Sequence, residues 1–153
     1  MFDIFESYKL LNYYIPTKQK KEKLLFELIK QIRAVHKINF YIGDISSVNI
    51  MYNNNDNNLY FIDLEYSGFG NNNTFAENNT PGFKMKSDKL NVFEQDIQSL
   101  ALTFSSMFFN NREKITSNPN LIKSHLKNAE KLEIITYETY KVLLKMIFNP
   151  SYF

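Results

Sequence analysis

The chain has 153 residues, enough for one compact domain, and 44% of them are hydrophobic, enough to form a core. Its net charge of +2 gives no reason to expect binding to nucleic acid or to an anionic membrane. The absence of cysteine excludes disulfide bonds and thiolate metal sites, and it is typical of a cytosolic protein.

The N-terminal segment carries acidic residues, Asp3 and Glu6, where a secretion signal needs basic ones. No stretch of the sequence approaches the roughly 18 apolar residues of a membrane span. We therefore expect a cytoplasmic protein that binds neither a membrane nor nucleic acid, and that forms a single domain over residues 1–153.

Helical spacing of apolar residues predicts most of the secondary structure. A short helix is expected over residues 2–14 and ends before Pro16, because proline cannot continue a helix. A longer helix follows from Thr17 to about Lys37, with Thr17 as its cap. Further helices are expected at about 92–109, 120–129 and 136–147.

Between these helices the pattern changes. Two strand-like runs, residues 49–52 and 59–62, are joined by a polar, turn-rich link that predicts a hairpin. Residues 64–90 show little periodicity, and so long an irregular segment in a compact domain is usually functional. The elements together predict a mainly α fold with a small β-hairpin, which is an α+β class.

Three polar residues surround the predicted hairpin at fixed spacing. Asp44 and Asn49 lie five residues apart before it, and Asp63 follows its second strand. Phosphoryl transfer needs a group that orients the acceptor hydroxyl, and it needs oxygen ligands for Mg²⁺, which is a hard cation. Because loops that flank one tight hairpin can converge, these three side chains could meet the needs of phosphoryl transfer at one point.

The segments around these residues resemble the C-terminal lobe of protein kinases. Residues 41–49 read YIGDISSVN and residues 59–65 read LYFIDLE, which are similar to the kinase motifs D-x-x-x-x-N and D-F-G. His36 matches the histidine at the end of the helix before the catalytic loop. Asp96 matches the aspartate near the start of the large buried helix of the lobe. The resemblance covers about residues 20–110.

A third stretch narrows the type of kinase. Thr80, Pro81 and Gly82 are similar to the end of an activation segment, and with GDISSVN and IDLE they resemble the kinase domain of class III/IV lanthionine synthetases. In lanthipeptide biosynthesis those enzymes phosphorylate Ser or Thr of a precursor peptide. Separate lyase and cyclase domains, which do not fit in this chain, then complete the thioether rings.

The resemblance implies a role for each matched residue. Asp44 would be the catalytic base or orienting group, and Asn49 and Asp63 would bind Mg²⁺ and through it ATP. Thr80, Pro81 and Gly82 would contact the peptide substrate. His36 and Asp96 would be structural, with Asp96 holding the backbone of the catalytic loop.

The sequence departs from the kinase pattern at several positions. Ile42 replaces the histidine that helps to hold the catalytic loop, which predicts a less rigid loop. Ser46 stands where Ser/Thr kinases carry a lysine that contacts phosphate, a lysine that lanthionine synthetases also lack. Ser47 replaces the usual proline. Asn79 replaces the glycine before Thr80.

The residues before Asp44 contain no G-x-G-x-x-G loop and no strand lysine with a helix glutamate, the parts that hold ATP in kinases. We therefore expect a split or truncated C-terminal lobe that is active only with an N-terminal lobe from another chain. A lyase or cyclase chain would be a further partner. Two alternatives stay open. One is a non-catalytic, pseudokinase-like module that binds a peptide. The other is a small-molecule phosphotransferase of the aminoglycoside or choline kinase type.

Overall fold

The computed structural model describes residues 8–10, 18–53, 55–56, 58–70, 90–107 and 119–153. These ranges contain helices and two small antiparallel sheets, which confirms the predicted α+β class. The helices are α1 (Lys18–Lys37), α2 (Val92–Met107), α3 (Pro119–Lys131) and α4 (Tyr137–Phe148). The strands are β1 (Tyr8–Leu10), β2 (Phe40–Tyr41), β3 (Ile50–Asn53), β4 (Asn58–Phe61) and β5 (Gly68–Phe69). Short 3₁₀ turns cover Leu64–Tyr66 and Pro150–Tyr152.

Helix α1 forms because its apolar residues recur every three or four positions and therefore share one face. Leu25, Leu28 and Ile32 on that face are fully buried. Burial of each such side chain contributes about 1.5–3 kcal/mol of hydrophobic stabilisation. The bounds of the helix agree with the predicted ones within one residue.

The N-terminal segment corrects one prediction. Tyr8–Leu10 form the strand β1 instead of part of a helix over 2–14, and β1 pairs antiparallel with β3, with Lys9 opposite Tyr52. Pairing with the hairpin satisfies the main-chain groups of an extended segment, and this tertiary interaction outweighs a weak local helical preference. The other residues of the predicted helix lie outside the described ranges.

The predicted hairpin is confirmed as β3 and β4, with Ile50 opposite Phe61. Its turn is held by side chains that bond to the backbone two residues ahead, since Asn53 Oδ1 accepts from Asn55 N and Asp56 Oδ1 accepts from Asn58 N, each at 2.9 Å. Such bonds explain why Asn and Asp fill this turn.

The pairing of β2 with β5 was not predicted. These two strands pair antiparallel, with Tyr41 opposite Gly68, and Gly70 N donates to Asn39 O at 3.1 Å. Each strand has only two residues, too few to show a period in the sequence. The pair fixes the chain after the hairpin against the chain before Asp44.

The remaining helices complete one hydrophobic core, to which α1, the hairpin, α2, α3 and α4 all contribute buried residues. Helix α2 packs on α4, and the Gln98 side chain donates to Ile147 O at 2.9 Å. Thr136 caps α4 through its Oγ1 atom, which accepts from Thr139 N, and Glu22 of α1 accepts from Thr136 N. None of the helices in the described ranges has the length and apolar character needed to cross a membrane.

Candidate active site

Asp44 and Asn49 form the centre of the candidate site. The Asn49 side chain donates from Nδ2 to the main-chain oxygen and to Oδ2 of Asp44, both at 3.0 Å. A turn brings the two residues together, with Asn49 N bonded to Ser46 O at 3.1 Å. Asn49 is buried and Asp44 is half-buried. The bonds through Nδ2 leave Oδ1 as the atom of this carboxamide that could bind a cation.

Asp63 follows the second strand of the hairpin, and the residue before it is bonded to Asn49. Ile62 N donates to Asn49 O at 2.9 Å, so the residue before Asp63 is bonded to the residue that contacts Asp44. Asp63 itself is exposed and has left-handed backbone angles, φ 56° and ψ 60°. Asp tolerates this region better than most residues, yet it is uncommon there, and such conformations are found often at functional sites.

The segment after Asp63 lies directly against the residue before Asp44. Gly43 has φ +95°, and a Cβ atom built on it would lie 2.4 Å from the Tyr66 main-chain oxygen. Only glycine fits both this backbone conformation and this space. Gly43 is therefore required by geometry, and it allows the loops that carry Asp44 and Asp63 to touch.

Asp96, at the start of α2, anchors the loop before Asp44. Its Oδ2 accepts from Ile42 N at 2.7 Å and its Oδ1 accepts from Gly43 N at 2.9 Å. The carboxylate is completely buried, and His36 Nε2 lies 2.9 Å from Oδ2. These three hydrogen-bonding partners stabilise the charged carboxylate. Without them its burial would be unfavourable.

The contact between His36 and Asp96 was not predicted. Both residues were expected to be structural, but separately. One signal for a pair was present, because an acid inside the apolar pattern of α2 needs a partner. The His36 ring also packs edge-on against Phe93, with ring centroids 5.0 Å apart.

The loop residues that differ from the kinase motif are all buried. The side chain of Ile42 lies in the core, and its N–H is held by Asp96, so hydrogen bonds anchor this part of the loop without a histidine at 42. Ser46 and Ser47 are completely buried, and within the described ranges their Oγ atoms have no hydrogen-bond partner. Ser46 therefore does not extend outward as a phosphate-binding lysine would.

Other predicted positions fall outside the part of the chain that the structure describes. Thr80, Pro81 and Gly82 lie outside the described residues, as does Asn79. In the part of the chain that is described, no group of three or more His, Asp or Glu side chains could hold a metal ion. A metal at this site would therefore rely on the Asn49 carboxamide, the Asp63 carboxylate and oxygens from a ligand.

A groove lies on the molecule away from Asp44, Asn49 and Asp63. It has a volume of about 710 Å³ and runs between the first half of α1 and the hairpin turn. Its described lining residues, which do not include Asp44, Asn49 or Asp63, are Gln19, Lys20, Lys23, Leu24, Glu27, Asp56 and Asn58.

Comparison with known proteins assigns no family to this chain. No protein-family model matches the sequence, and no curated protein matches it significantly.

Proposed function

We propose that this chain is the C-terminal lobe of a kinase-like phosphotransferase that uses ATP and Mg²⁺, with a Ser or Thr hydroxyl of a peptide as acceptor, as in lanthionine synthetases. The observation that carries the proposal is the double hydrogen bond from Asn49 Nδ2 to Asp44. It joins the two loop residues that the kinase motif predicts to be the orienting acid and a metal ligand.

In this proposal Asp44 accepts the proton of the acceptor hydroxyl or orients that hydroxyl toward the phosphate. The bonds from Asn49 limit the rotation of the Asp44 side chain, because they hold its Oδ2 and main-chain oxygen on one donor group. A carboxylate held in one orientation lowers the entropy lost when the substrate aligns.

Asn49 Oδ1 and the Asp63 carboxylate would hold Mg²⁺. The ion would neutralise the phosphate charge, which matters here because the sequence from Ile38 to Phe83 contains no Lys, Arg or His. The exposed position of Asp63 and its bonded neighbour Ile62 support this role, since an exposed carboxylate on a fixed backbone can reach a bound ion.

Asp96 acts as a positioning residue in this proposal. It bonds to the amides of Ile42 and Gly43 and so fixes the backbone directly before Asp44. His36 supports Asp96 through Oδ2, the oxygen that also accepts from Ile42 N, and does not contact a reacting group.

Binding of Mn²⁺ in place of Mg²⁺ tests the proposal, because a paramagnetic ion broadens NMR signals of nearby nuclei even when affinity is low. With ATP and Mn²⁺, the amide signals of Asp44, Asn49 and Asp63 should broaden first. Asp63→Asn should remove this broadening. Asp56→Asn, the same change at the exposed hairpin turn, is the matched control and should leave it intact.

Broadening that is spread over all acidic surface residues, or that is equal in Asp63→Asn and the parent protein, would contradict the proposal. The acceptor is tested separately by mass spectrometry of Ser- and Thr-containing peptides, and of an aminoglycoside and choline, after incubation with Mg²⁺-ATP and a second chain that supplies an N-terminal lobe. A peptide that binds equally well to the double variant Asp44→Asn, Asp63→Asn and never gains phosphate would favour the non-catalytic module.

A further inference from the structure

The loop that carries Asp44 contains two buried hydroxyl groups. Ser46 and Ser47 are completely buried, and in the part of the chain that the structure describes their Oγ atoms have no hydrogen-bond partner. A hydroxyl in this position has lost its hydrogen bonds to water and has gained none from the protein, so it destabilises the conformation that holds it. Alanine would fill almost the same space without this cost. Packing alone therefore does not explain two serines here.

Buried hydroxyl groups in α2 are hydrogen-bonded. Thr103 Oγ1 and Ser105 Oγ each donate to the main-chain oxygen four residues earlier, both at 2.8 Å. Among the described residues, the buried hydroxyls without a partner are those of Ser46 and Ser47. Their cost is thus concentrated in one loop, and a buried polar group without a partner at a candidate site calls for an explanation.

Hydrogen bonds fix both ends of this loop. At one end the buried Asp96 carboxylate accepts from the amides of Ile42 and Gly43. At the other end Asn49 O accepts from Ile62 N at 2.9 Å. A change of conformation would therefore be confined to residues 44–48, between two anchored points.

Inside the loop, the Asn49 residue makes the contacts that hold this conformation. Its Nδ2 atom donates twice to Asp44, and its main-chain N donates to Ser46 O at 3.1 Å. The carboxamide is planar, so a cation that draws Oδ1 toward itself also turns Nδ2 and weakens the bonds to Asp44. A carboxylate that loses this donor can accept instead from hydroxyls two and three residues further along the chain, which are those of Ser46 and Ser47.

We propose that residues 44–48 exchange between two conformations and that Ser46 and Ser47 are positioning residues that set the balance. In the structure the two hydroxyls are unpaired, and in the second conformation they donate to the Asp44 carboxylate. The cost of the unpaired hydroxyls brings the two conformations close in free energy, so a small difference in ligand affinity shifts the population. Metal and nucleotide at the site favour the second conformation. That coupling rests on the proposed function, whereas the exchange itself does not.

Relaxation-dispersion ¹⁵N NMR of the protein without ligand tests the exchange, because it detects a minor conformation that forms in microseconds to milliseconds. Exchange is expected at the amides of residues 44–48. The double variant Ser46→Ala, Ser47→Ala should lower the population of the second conformation at least about fivefold, since it removes the cost from the first conformation and the donors from the second. The same variant should unfold at a higher urea concentration than the parent protein.

Ser105→Ala is the matched control, because the Ser105 hydroxyl is equally buried but is hydrogen-bonded. This variant should leave the exchange at residues 44–48 unchanged and should not raise the urea midpoint. A parent protein without exchange at residues 44–48, or equal populations in the double variant and the parent, would overturn the proposal. Cross-relaxation between a long-lived water molecule and the Ser46 and Ser47 amides would overturn it too, because such a water would already satisfy both hydroxyls.

Addition of Mg²⁺ and ATP tests the coupling. The exchange data give the chemical shifts of the second conformation, and the amide signals of Ser46 and Ser47 should move toward those shifts as ligand is added. If Mn²⁺ and ATP broaden the Asp63 signal while the serine signals stay in place, the coupling is wrong and the proposed function stands. If no ion binds at Asp63, the proposed function and the coupling are both wrong. The exchange without ligand decides the two-state loop in either case.

Discussion

The Asn49 side chain bonds to Asp44 at two points, with its Nδ2 atom 3.0 Å from both the main-chain oxygen and Oδ2 of that residue. One donor group thus fixes both the backbone and the carboxylate at the start of a six-residue loop. The same relationship makes position 49 sensitive to a change of charge, which gives the first prediction.

Asn49→Asp should place a second carboxylate beside Asp44 and lower the free energy of unfolding by about 1–3 kcal/mol, from charge repulsion and the loss of the two bonds. If Mg²⁺ binds at this position, millimolar Mg²⁺ should recover most of the loss. Urea unfolding with and without Mg²⁺ measures both effects. Asn128→Asp on the exposed side of α3 is the control, and an equal Mg²⁺ effect there would contradict the prediction.

Asp96→Asn should lower the free energy of unfolding by about 2–4 kcal/mol, because an amide cannot accept from Ile42 N, Gly43 N and His36 at once and leaves buried donors unsatisfied. The midpoint of urea unfolding reports the loss. Asp56→Asn, the same substitution at the hairpin turn, should change the midpoint little. A similar midpoint for both variants would show that Asp96 is not an anchor.

Gly43→Ala should destabilise the protein by at least about 2 kcal/mol, since alanine at φ +95° is strained and its Cβ would collide with the Tyr66 oxygen. Gly68→Ala is the control, because Gly68 is free of this backbone constraint and its nearest atom would be the mobile end of Tyr41, at 3.3 Å. Thermal unfolding of the two variants compares them. A smaller loss for Gly43→Ala than for Gly68→Ala would be inconsistent with the close approach described here.

Thr136→Ala should cost about 1 kcal/mol, because it removes the side-chain oxygen that accepts from Thr139 N at the start of α4. It also removes a hydroxyl that donates to Glu22 on α1. Thr136→Ser keeps the oxygen and should retain most of the stability. Urea unfolding separates the two variants, and equal losses would mean that the methyl group rather than the cap matters.

The pKa of Asp56 lies below its ordinary value of 3.8, first because the Tyr60 hydroxyl donates to it and next because the Asn58 amide does. A lowered pKa means that the folded turn favours the charged form. The stabilisation is therefore present above the ordinary pKa and is lost as the pH falls through the lowered one. Tyr60→Phe should raise the titration midpoint of the Asp56 carboxyl carbon, measured by ¹³C NMR. An unchanged midpoint would exclude the tyrosine as the main cause.

The helices and the hairpin could be predicted because each has a clear period or turn composition. Leu25, Leu28 and Ile32 recur at helical spacing, and Asn and Asp residues fill the turn between β3 and β4. Strand β1 and the pairing of β2 with β5 could not be predicted from the sequence. Such short segments form strands only through contacts with distant residues, as Lys9 does opposite Tyr52.

The sequence also brought Asp44, Asn49 and Asp63 to attention as a set, but it could not give their contacts. The bond from Asn49 to Asp44 depends on the turn at Ser46, and the anchoring of Ile42 depends on a residue of α2 more than fifty positions away. Spacing along the chain identifies which residues have the right chemistry. The distances between them follow from packing.

The close approach of Gly43 to Tyr66 has a mechanical consequence. The two loops touch without a side chain between them, so neither has room to move toward the other. An outward movement of the turn after Asp63 would take the Tyr66 main-chain oxygen away from Gly43. Strand pairing on one side and the Ile62–Asn49 bond on the other hold the same two segments together. The two loops should therefore unfold locally as one cooperative unit, so that a change in the stability of one loop changes the stability of the other.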